Sequence, residues 1–312
     1  MAHLSGTELD VVTGAFGYTG RHITRMLLAK GRRVRTLTGH PDRDNPFGGS
    51  VQVSRYAFDD PDELVRSLSG ARTLYNTYWI RFEHRGRTFA EAIRNSRALF
   101  AAAAEAGVRR IVHVSITKPD EGAKEGLPYF VGKREVERTL LESGSTISWA
   151  IVRPTVVFGP GDILINNIAW LLRRLPVFAI PGDGAYRVRP VAVQDVARLC
   201  VDAGQADDKR IIEAVGPDTF TFDEMVRLTR AAVRSRARLV HASPDAALVM
   251  ARALGPVVGD RLITRDEIRG MIAELVTTDG KPTGEIRFAD WLAEAAPTLG
   301  KRFASEIGRH YR

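Results

Sequence analysis

The length, composition and charge of the chain exclude several classes of protein. With 312 residues, 44% of them hydrophobic, it can bury one large core or two unequal ones, so disorder is not expected. No run approaches the roughly 20 apolar residues of a bilayer span, and the N-terminus lacks the apolar core of a signal peptide. The single cysteine, Cys200, excludes an internal disulfide and lies in the apolar pattern of a helix. We expect a cytoplasmic protein without a membrane partner, and a buried, inert Cys200.

The net charge of +8 raises the question of a nucleic-acid partner. Basic residues are spread along the whole chain, however, and most of the 45 are arginine. The sequence contains no zinc-ligand, helix-turn-helix or RNA-binding signature, so we expect neither nucleic acid nor a metal. The densest basic group begins at helical spacing and predicts one solvated helix face; it comprises Arg227, Arg230, Arg234, Arg236 and Arg238.

Up to residue 157, short apolar runs alternate with helical patterns, as in a parallel sheet covered by helices. The runs predict five or six parallel strands, at Leu9–Val12, Val34–Leu37, Val51–Phe58, Thr73–Tyr75, Ile111–Ser115 and Ile147–Val152. Apolar residues at helical spacing predict the helices between them, at Tyr18–Lys30, Pro61–Leu68, Thr88–Ala106 and Tyr129–Leu141.

After residue 157 the pattern loosens into Gly- and Pro-rich loops and further helices. The helices are predicted at Asp162–Arg174, Val193–Ala203, Phe222–Ser235, Pro244–Leu254 and Arg265–Leu275. We therefore predict an α/β protein in which residues 1–157 form a doubly wound parallel sheet. Residues 158–312 would form a smaller, mostly helical substrate lobe, from which residues 186–215 return to the first core.

A glycine-rich turn joins the first predicted strand to the first helix. Gly14 permits the tight turn, Gly17 lets the backbone approach a pyrophosphate, and Gly20 allows close packing of helix on strand. The helix N-terminus supplies unpaired N–H groups and a positive dipole end. Strand, turn and helix together predict a Rossmann-type dinucleotide-binding domain. Its expected cofactor contacts in this turn are Thr13, Gly14, Phe16, Gly17, Tyr18, Thr19 and Gly20.

The end of the second predicted strand bears on the choice of cofactor. An acidic residue there would hold the 2′-hydroxyl of NAD, whereas a basic one accommodates the 2′-phosphate of NADP. No acid ends this strand, which favours NADP(H) over NAD(H), although nearby Asp42 and an ordinary polar turn leave alternatives open. The candidate contacts here and at the ends of the next two strands are Thr38, His40, Arg43, Asp59 and Asn76.

A tyrosine, a lysine and a serine suggest acid/base chemistry. Tyr129 and Lys133 are one helical turn apart on one face, where an ammonium lowers the pKa of a phenol from its reference value near 10. Ser115 ends the preceding strand, where its hydroxyl can meet a substrate oxygen. Alternatively, Ser115 is a turn residue and Tyr129 an aromatic residue that starts an amphipathic helix. Together the three predict a catalytic set.

These features resemble the extended or atypical short-chain dehydrogenase/reductase superfamily. Its branches include proteins similar to NAD-dependent epimerases and dehydratases, and relatives of a complex I accessory subunit. The resemblance rests on Thr13–Gly20, Ser115, Tyr129, Lys133, Arg153–Gly161 and Val191–Ala197. It implies that Tyr129 is the acid/base, that Lys133 also binds the nicotinamide ribose, and that Ser115 orients the substrate carbonyl. It further implies that Pro154, Thr155 and Val156 lie beside the nicotinamide carboxamide.

The predicted function is hydride transfer between NADP(H) and a carbonyl or alcohol of an uncharged, fairly apolar small molecule. One alternative is a sensor or scaffold that binds NADP(H) without turnover, and another is a sugar-nucleotide epimerase or dehydratase. The substrate site is expected among aromatic and polar side chains, some of which must belong to the core. The candidates are Tyr78, Trp79, Thr117, Phe158, Trp170 and Tyr186.

Overall fold

The computed structural model describes residues 8–143 and 147–311, which form two compact units built from interleaved segments. The first unit comprises the chain up to Ile116, Tyr129–Arg153 and Val196–Ile212. The second comprises Thr117–Pro128, Pro154–Asp195 and the chain from Glu213 onwards. The predicted domain boundary after residue 157 stays a prediction.

The elements follow the order expected from the sequence. The strands are β1 (Leu9–Thr13), β2 (Arg33–Thr38), β3 (Val51–Arg55), β4 (Ala71–Asn76), β5 (Arg110–Val114), β6 (Ser148–Pro154), β7 (Val157–Phe158), β8 (Val177–Pro181), β9 (Arg187–Val188), β10 (Val191–Ala192), β11 (Arg210–Ala214), β12 (Phe220–Thr221) and β13 (Arg238–Ala242). The α-helices are α1 (Tyr18–Ala29), α2 (Pro61–Leu68), α3 (Phe89–Glu105), α4 (Pro119–Lys124), α5 (Pro128–Leu141), α6 (Leu164–Arg174), α7 (Val193–Gly204), α8 (Phe222–Ala232), α9 (Pro244–Val258), α10 (Arg265–Ile272), α11 (Phe288–Ala295) and α12 (Glu306–His310).

Seven strands of the described chain form one sheet in the order β11-β6-β5-β4-β1-β2-β3. The pairings from β6 across to β3 are parallel. Strand order reverses between β1 and β4, and ligands of such sheets bind outside the carboxyl ends of the strands at this point. The predicted Rossmann-type α/β fold is confirmed, with one or two more strands in the sheet than expected.

Local sequence signals explain why the helices of the first unit begin where they do. Asp60 accepts a hydrogen bond from the Glu63 N–H and precedes Pro61, so α2 has both a cap and a preorganised first residue. Thr88 caps α3 in the same way. Leu64 and Leu68 of α2 are buried in the core of this unit, where most other members are aliphatic.

The second unit has a separate, aromatic-rich core. Phe158, Phe222, Phe288 and Trp291 are buried in it. Small sheets form from β8 with β13, β9 with β12 and β7 with β10. The sequence did not predict these strands, and β7, β9, β10 and β12 have only two residues each, too few for a recognisable alternation.

The helices of the second unit also differ in length from their predictions. Helix α8 stops before Arg234 and α10 before Glu274, because each of these residues adopts a left-handed backbone, with φ of 53° and 52°. Helix α9 runs past the predicted end at Leu254 until Gly259, whose left-handed backbone caps it.

Two expectations about burial and membranes can be compared with the described residues. Cys200 is fully buried in α7, as predicted, and burial raises the pKa of its thiol. Within residues 8–143 and 147–311, no helix is long and apolar enough to cross a bilayer.

Candidate cofactor and catalytic site

The glycine turn lies between β1 and α1 at the carboxyl end of the sheet. Gly14 has a φ of +67° and donates its N–H to the Leu37 carbonyl (2.9 Å), while the Gly17 N–H bonds to the Gly14 carbonyl (2.8 Å). A Cβ at Gly20 would lie 2.3 Å from the Gly14 oxygen, so only glycine lets α1 start this close to the turn. Among the described residues no side chain caps the start of α1, which leaves it suited to an anion.

The other predicted residues of this turn take different positions. Phe16 is buried and its ring lies 6.5 Å from that of Phe47. Tyr18 contacts His22 edge to face, and Thr19 is half-buried in the first turn of α1. The turn therefore presents mainly backbone, and its cradle fits a dinucleotide pyrophosphate.

A hydrogen-bond network fixes the ends of β1, β4 and β5 at the point where strand order reverses. The Thr13 hydroxyl donates to Asn76 Oδ1 (3.1 Å) and accepts the Thr77 N–H (2.7 Å). Asn76 Nδ2 lies 3.0 Å from His113 Nδ1. Thr13 and Asn76 are fully buried, so within the described residues they position the strand ends; a contact of either with a cofactor stays a prediction.

The residues expected to select the cofactor lie in a tight turn after β2. Thr38 Oγ1 accepts the His40 N–H (3.1 Å), and the Arg43 N–H bonds to the His40 carbonyl (3.2 Å). Asp42 and Asp59 are exposed beyond the ends of β2 and β3. The turn brings Thr38, His40 and Arg43 together, whereas their roles in cofactor selection stay predictions.

Trp79 contacts both members of the predicted tyrosine–lysine pair. The Lys133 Nζ lies 4.7 Å from the centroid of the Trp79 ring, and the Tyr129 ring meets Trp79 edge to face at 6.0 Å. A Cβ at Gly132 would lie 2.7 Å from the Trp79 ring, so glycine makes room for it on α5. The sequence predicts Trp79 only as a substrate contact and does not single out Gly132, whose one signal is a glycine inside a helix.

The amine of Lys133 lies in an environment different from that of a solvated amine. Its Nζ is buried and donates to the Val114 carbonyl (2.9 Å). Burial lowers the pKa of Lys133 from 10.5 to about 7, against the opposing effect of Glu137 one turn later. Glu137 is itself paired with Arg153, with 3.0 Å between Nε and Oε1. The ammonium expected to favour the tyrosinate is therefore fully present only below about pH 7.

Three buried polar atoms near this pair have no partner among the described residues. They belong to Ser115 (Oγ), His113 (Nε2) and Trp79 (Nε1). Ser115 directly follows Val114, whose carbonyl holds Lys133, and its own N–H bonds to Val152 (2.8 Å). Burial, and then the charge of Lys133, hold the pKa of His113 well below its usual value, so its ring is neutral. Buried polar atoms without partners are costly and indicate a place for water or a ligand.

Tyr78 lies in a second aromatic cluster of the first unit. Its ring is 5.2 Å from Tyr56 and 5.3 Å from Phe58, and its hydroxyl accepts a hydrogen bond from Asn95 (2.9 Å). Burial raises the pKa of Tyr78. Its role in substrate binding stays a prediction.

The carboxamide and substrate candidates in the second unit already have internal contacts. The Thr155 hydroxyl donates to the Arg189 carbonyl (2.5 Å), and the Val156 carbonyl accepts the Val191 N–H (2.8 Å). Thr117 donates its hydroxyl to Glu213 (2.9 Å). The remaining contacts are a backbone bond from Thr117 to the Pro154 carbonyl, burial of Phe158 and Tyr186 in the core, and packing of Trp170 on Phe303 and Arg174.

Comparisons with known proteins agree with this geometry. A family model described as NAD(P)H-binding matches residues 14–206. A ceramide reductase from Caulobacter vibrioides is 28% identical over 281 residues, covering 87% of this chain and 85% of its own. The mitochondrial NADH dehydrogenase [ubiquinone] 1 alpha subcomplex subunit 9 of Arabidopsis thaliana is 24% identical over 290 residues, covering 86% of this chain and 70% of its own.

Solved structures share the fold. The triphenylmethane reductase of Citrobacter sp., complexed with NADP(H), superposes with a TM-score of 0.74 at 16% identity, covering 92% of this chain and 99% of its own. Sugar-nucleotide epimerases and dehydratases also appear among the structural neighbours. The family model covers more than half of the chain, so the chain belongs to the NAD(P)H-binding family.

Proposed function

We propose that the protein is an NAD(P)(H)-dependent reductase or dehydrogenase, acting on a carbonyl or alcohol of an uncharged, fairly apolar small molecule. The observation that carries this proposal is that Tyr129 and Lys133 both contact the Trp79 ring. Ser115, which directly follows the Val114 carbonyl that Lys133 bonds to, has a buried hydroxyl without a partner among the described residues. A non-catalytic nucleotide-binding domain needs no such set. The ceramide reductase relative acts, by its name, on a lipid, which supports an apolar substrate.

The residues would divide the work as follows. The nicotinamide, when bound, supplies or accepts the hydride at the substrate carbon. Tyr129 gives the substrate oxygen its proton during reduction and removes it during oxidation. Ser115 fills its unmet hydrogen bond with the same oxygen. Lys133, while protonated, stabilises the tyrosinate left after proton donation.

We further propose that NADP(H) is the preferred cofactor. No carboxylate ends β2, and Arg43 lies in the turn that follows, where a 2′-phosphate is expected. The structural neighbour bound to NADP(H) supports this choice by analogy of fold alone.

Substitution of the tyrosine tests the proposal. Tyr129→Phe keeps the ring that packs on Trp79 but removes the proton donor, so turnover of a carbonyl substrate should fall about 10²- to 10⁴-fold while NADPH affinity stays unchanged. The measurements are steady-state kinetics with an apolar aldehyde and ketone panel, and calorimetric NADPH titration. Ser115→Ala should have a smaller effect. Reduction at the parental rate by the Tyr129→Phe protein would show that Tyr129 is not the acid/base.

The complex I subunit relative keeps a second candidate in view, a sensor or scaffold that binds nucleotide without turnover. It is distinguished by tight NADPH binding with no turnover of any carbonyl in the panel. A sugar-nucleotide epimerase would instead convert only nucleotide-linked sugars, with no net consumption of NADPH.

A further inference from the structure

A groove of about 920 Å³ lies between helices α8 and α11 of the second unit. This volume falls in the range of small-molecule sites, roughly 300–1,000 Å³. The apolar lining is mostly alanine, and these short side chains leave open space between the two helices. We call this feature the α8–α11 groove. Its central apolar members are Leu228, Ala231 and Ala232 of α8, and Leu292, Ala293 and Ala296 of α11.

The α8–α11 groove also has a basic lining. Arg173, Arg234 and Lys301 contribute to it, and of the residues that the structure describes, no aspartate or glutamate does. Within residues 8–143 and 147–311, none of these three cations forms an ion pair with a carboxylate. The groove therefore combines an apolar lining with positive charge that no acidic side chain neutralises.

The contacts of Arg173 place this charge at the carboxyl ends of both helices. Its guanidinium donates to the carbonyls of Val233 (3.2 Å), Ala296 (2.8 Å) and Leu299 (2.8 Å). Val233 and Ala296 are the C-caps of α8 and α11, and Arg234 directly follows the first of them. Each helix C-terminus carries about half a negative charge. The two ends together offset about one of the three positive charges, so a surplus of about two remains for a ligand.

The acidic residues of α8 and α11 do not cancel this surplus. Glu224 accepts the Thr221 N–H (2.8 Å) at the opposite end of α8, and Asp223 pairs with an arginine and a histidine. Asp290 and Glu294 are exposed on α11. At about 100° per residue, they lie more than about 90° around the helix from the centre of its groove-lining face. The charge of the groove is therefore complementary to an anion.

We propose that the α8–α11 groove binds a fatty carboxylate, an alkyl chain with one anionic head group. The chain would lie along the alanines, and the carboxylate would form charge-assisted hydrogen bonds with Arg234 and Lys301. From Ala289 to Ala296 the groove follows α11 for about 10 Å, at about 1.5 Å per residue. This length suits an alkyl chain of medium length. The site goes beyond the reductase proposal, which does not involve the groove.

Shape and area favour a single amphiphile over a second copy of the chain or a bilayer. The groove exposes a small fraction of the roughly 800 Å² per partner that a stable protein interface buries. A bilayer takes up apolar side chains that protrude, whereas Val233 and Leu292 of the groove are buried. A concave apolar lining with cations at one end instead complements one alkyl chain with an anionic head group.

Calorimetric titration of the full chain, without cofactor or carbonyl substrate, tests the proposal. Decanoate should bind. Decyltrimethylammonium has the same chain with the opposite charge, and butanoate has the same head group on a short chain. Each of these two should bind at least about tenfold more weakly, because one is repelled by the cations and the other loses most of the apolar contact. Higher salt should weaken decanoate binding, because it screens the cations.

Charge variants separate the groove from the overall charge. Arg234→Gln/Lys301→Gln removes two positive charges from the groove and should weaken decanoate binding about tenfold. Arg236→Gln/Arg238→Gln is the matched control, because it removes the same charge from two exposed residues that do not line the groove. The control should bind decanoate like the parent.

A second pair of variants tests the apolar lining. Ala293→Gln places a longer, polar side chain in the groove and should weaken decanoate binding about fivefold. Ala253→Gln makes the same change at an exposed alanine of α9 that does not line the groove, and it should bind like the parent. Circular dichroism confirms that all variants are folded.

Three outcomes would overturn the proposal. These are no decanoate binding by the parent, decyltrimethylammonium binding as tight as that of decanoate, and equal decanoate binding by Arg234→Gln/Lys301→Gln and its control. The last result would place decanoate elsewhere, as at a reductase substrate site, which these substitutions leave intact.

Two further measurements cover the other occupants. In sedimentation velocity, a dimer that Ala293→Gln dissociates, in a protein that does not bind decanoate, would assign the groove to a second copy. In vesicle sedimentation, binding to anionic vesicles that the same variant abolishes, again without decanoate binding, would assign it to a bilayer.

Discussion

The Trp79 ring lies against the buried amine of Lys133. The ring centroid is 4.7 Å from the lysine Nζ, in a space that exists because position 132 is glycine. Since desolvation is the main cause of the lowered pKa of Lys133, removing this ring should reverse the shift. We therefore expect Trp79 to influence the pH range in which the lysine is charged.

We accordingly predict that Trp79→Ala raises the pKa of Lys133 from about 7 toward the ordinary 10.5. The rate of acetylation of Lys133 by acetic anhydride, followed against pH by peptide mass spectrometry, reports the midpoint. Trp79→Phe retains an aromatic cover and should shift it less. An unchanged midpoint in Trp79→Ala would mean that Trp79 does not desolvate the amine.

A second residue-scale prediction concerns stability. The pKa of Lys133 is about 7 in the folded protein, against 10.5 as the ordinary value in an unfolded chain, so between these values the unfolded state binds more protons. The contribution of this group to the free energy of unfolding must then rise with pH in that window, by up to about 1.4 kcal/mol per pH unit. Below the window the lysine is charged in both states, and the full cost of burying that charge applies.

Lys133→Met removes this titration. Urea unfolding at about pH 7 and about pH 8.5 should show that the free energy of unfolding of the parent, taken relative to that of the variant, is larger at the higher pH. The Cys200 thiol of an unfolded chain begins to ionise near the upper pH, but comparison of the two proteins cancels this and their other shared groups. Parallel curves for parent and variant would show that Lys133 keeps an ordinary pKa in the fold.

Helical spacing explains why part of this site could be predicted from the sequence. Helical spacing placed Tyr129 and Lys133 on one face, and both contact Trp79. The sequence could not show that Trp79 would lie over Lys133, because that contact depends on a long-range approach of the loop after β4 to α5. For the same reason, the buried His113 and the loss of charge on Lys133 near neutral pH were not foreseen.

At the scale of elements, the β1–α1 turn shows why a glycine pattern predicts function. The contact at Gly20 is with backbone, which cannot rotate away as a side chain can. Helix α2 at Pro61–Leu68, which has clear periodicity, was predicted to the residue, and the other periodic strands and helices of the first unit were placed correctly with ends that differ by a few residues. Elements of two residues, and helices ended by a left-handed Arg234 or Glu274, carry no periodic signal and were missed or overextended.

We predict that Gly20→Ala destabilises the protein by several kcal/mol and weakens NADPH binding at least about tenfold, because α1 must move away from Gly14. Thermal unfolding and NADPH titration measure the two effects. Gly49→Ala is the control, since a Cβ there would meet no atom of the described residues within 4 Å and its backbone is not left-handed. Equal behaviour of the two variants would show that the turn relaxes without loss.

At the scale of the whole molecule, composition predicted enough apolar residues for one core or two, and the structure has two. Composition could not assign each apolar residue to a core. Helix α9 reads as an ordinary buried segment in the sequence, yet its Val257 is more exposed than any other large apolar side chain that the structure describes. Burial is a property of the assembled chain, so the exposure of α9 is visible only in the structure.

The preference for one cofactor can be measured as a difference in the stability of the folded chain. A ligand that binds only the folded state stabilises it by about 2.7 kcal/mol at 100 times its Kd, so a tenfold tighter cofactor adds about 1.4 kcal/mol at equal concentration. We predict that NADPH raises the melting temperature more than NADH does, because β2 ends without a carboxylate and Arg43 follows in the turn. Arg43→Ala should reduce the NADPH advantage, whereas Arg33→Ala, exposed at the opposite end of β2, should leave it unchanged. Equal shifts for both cofactors with the parent protein would contradict the preference, and an advantage retained in Arg43→Ala would assign it to other groups of the turn.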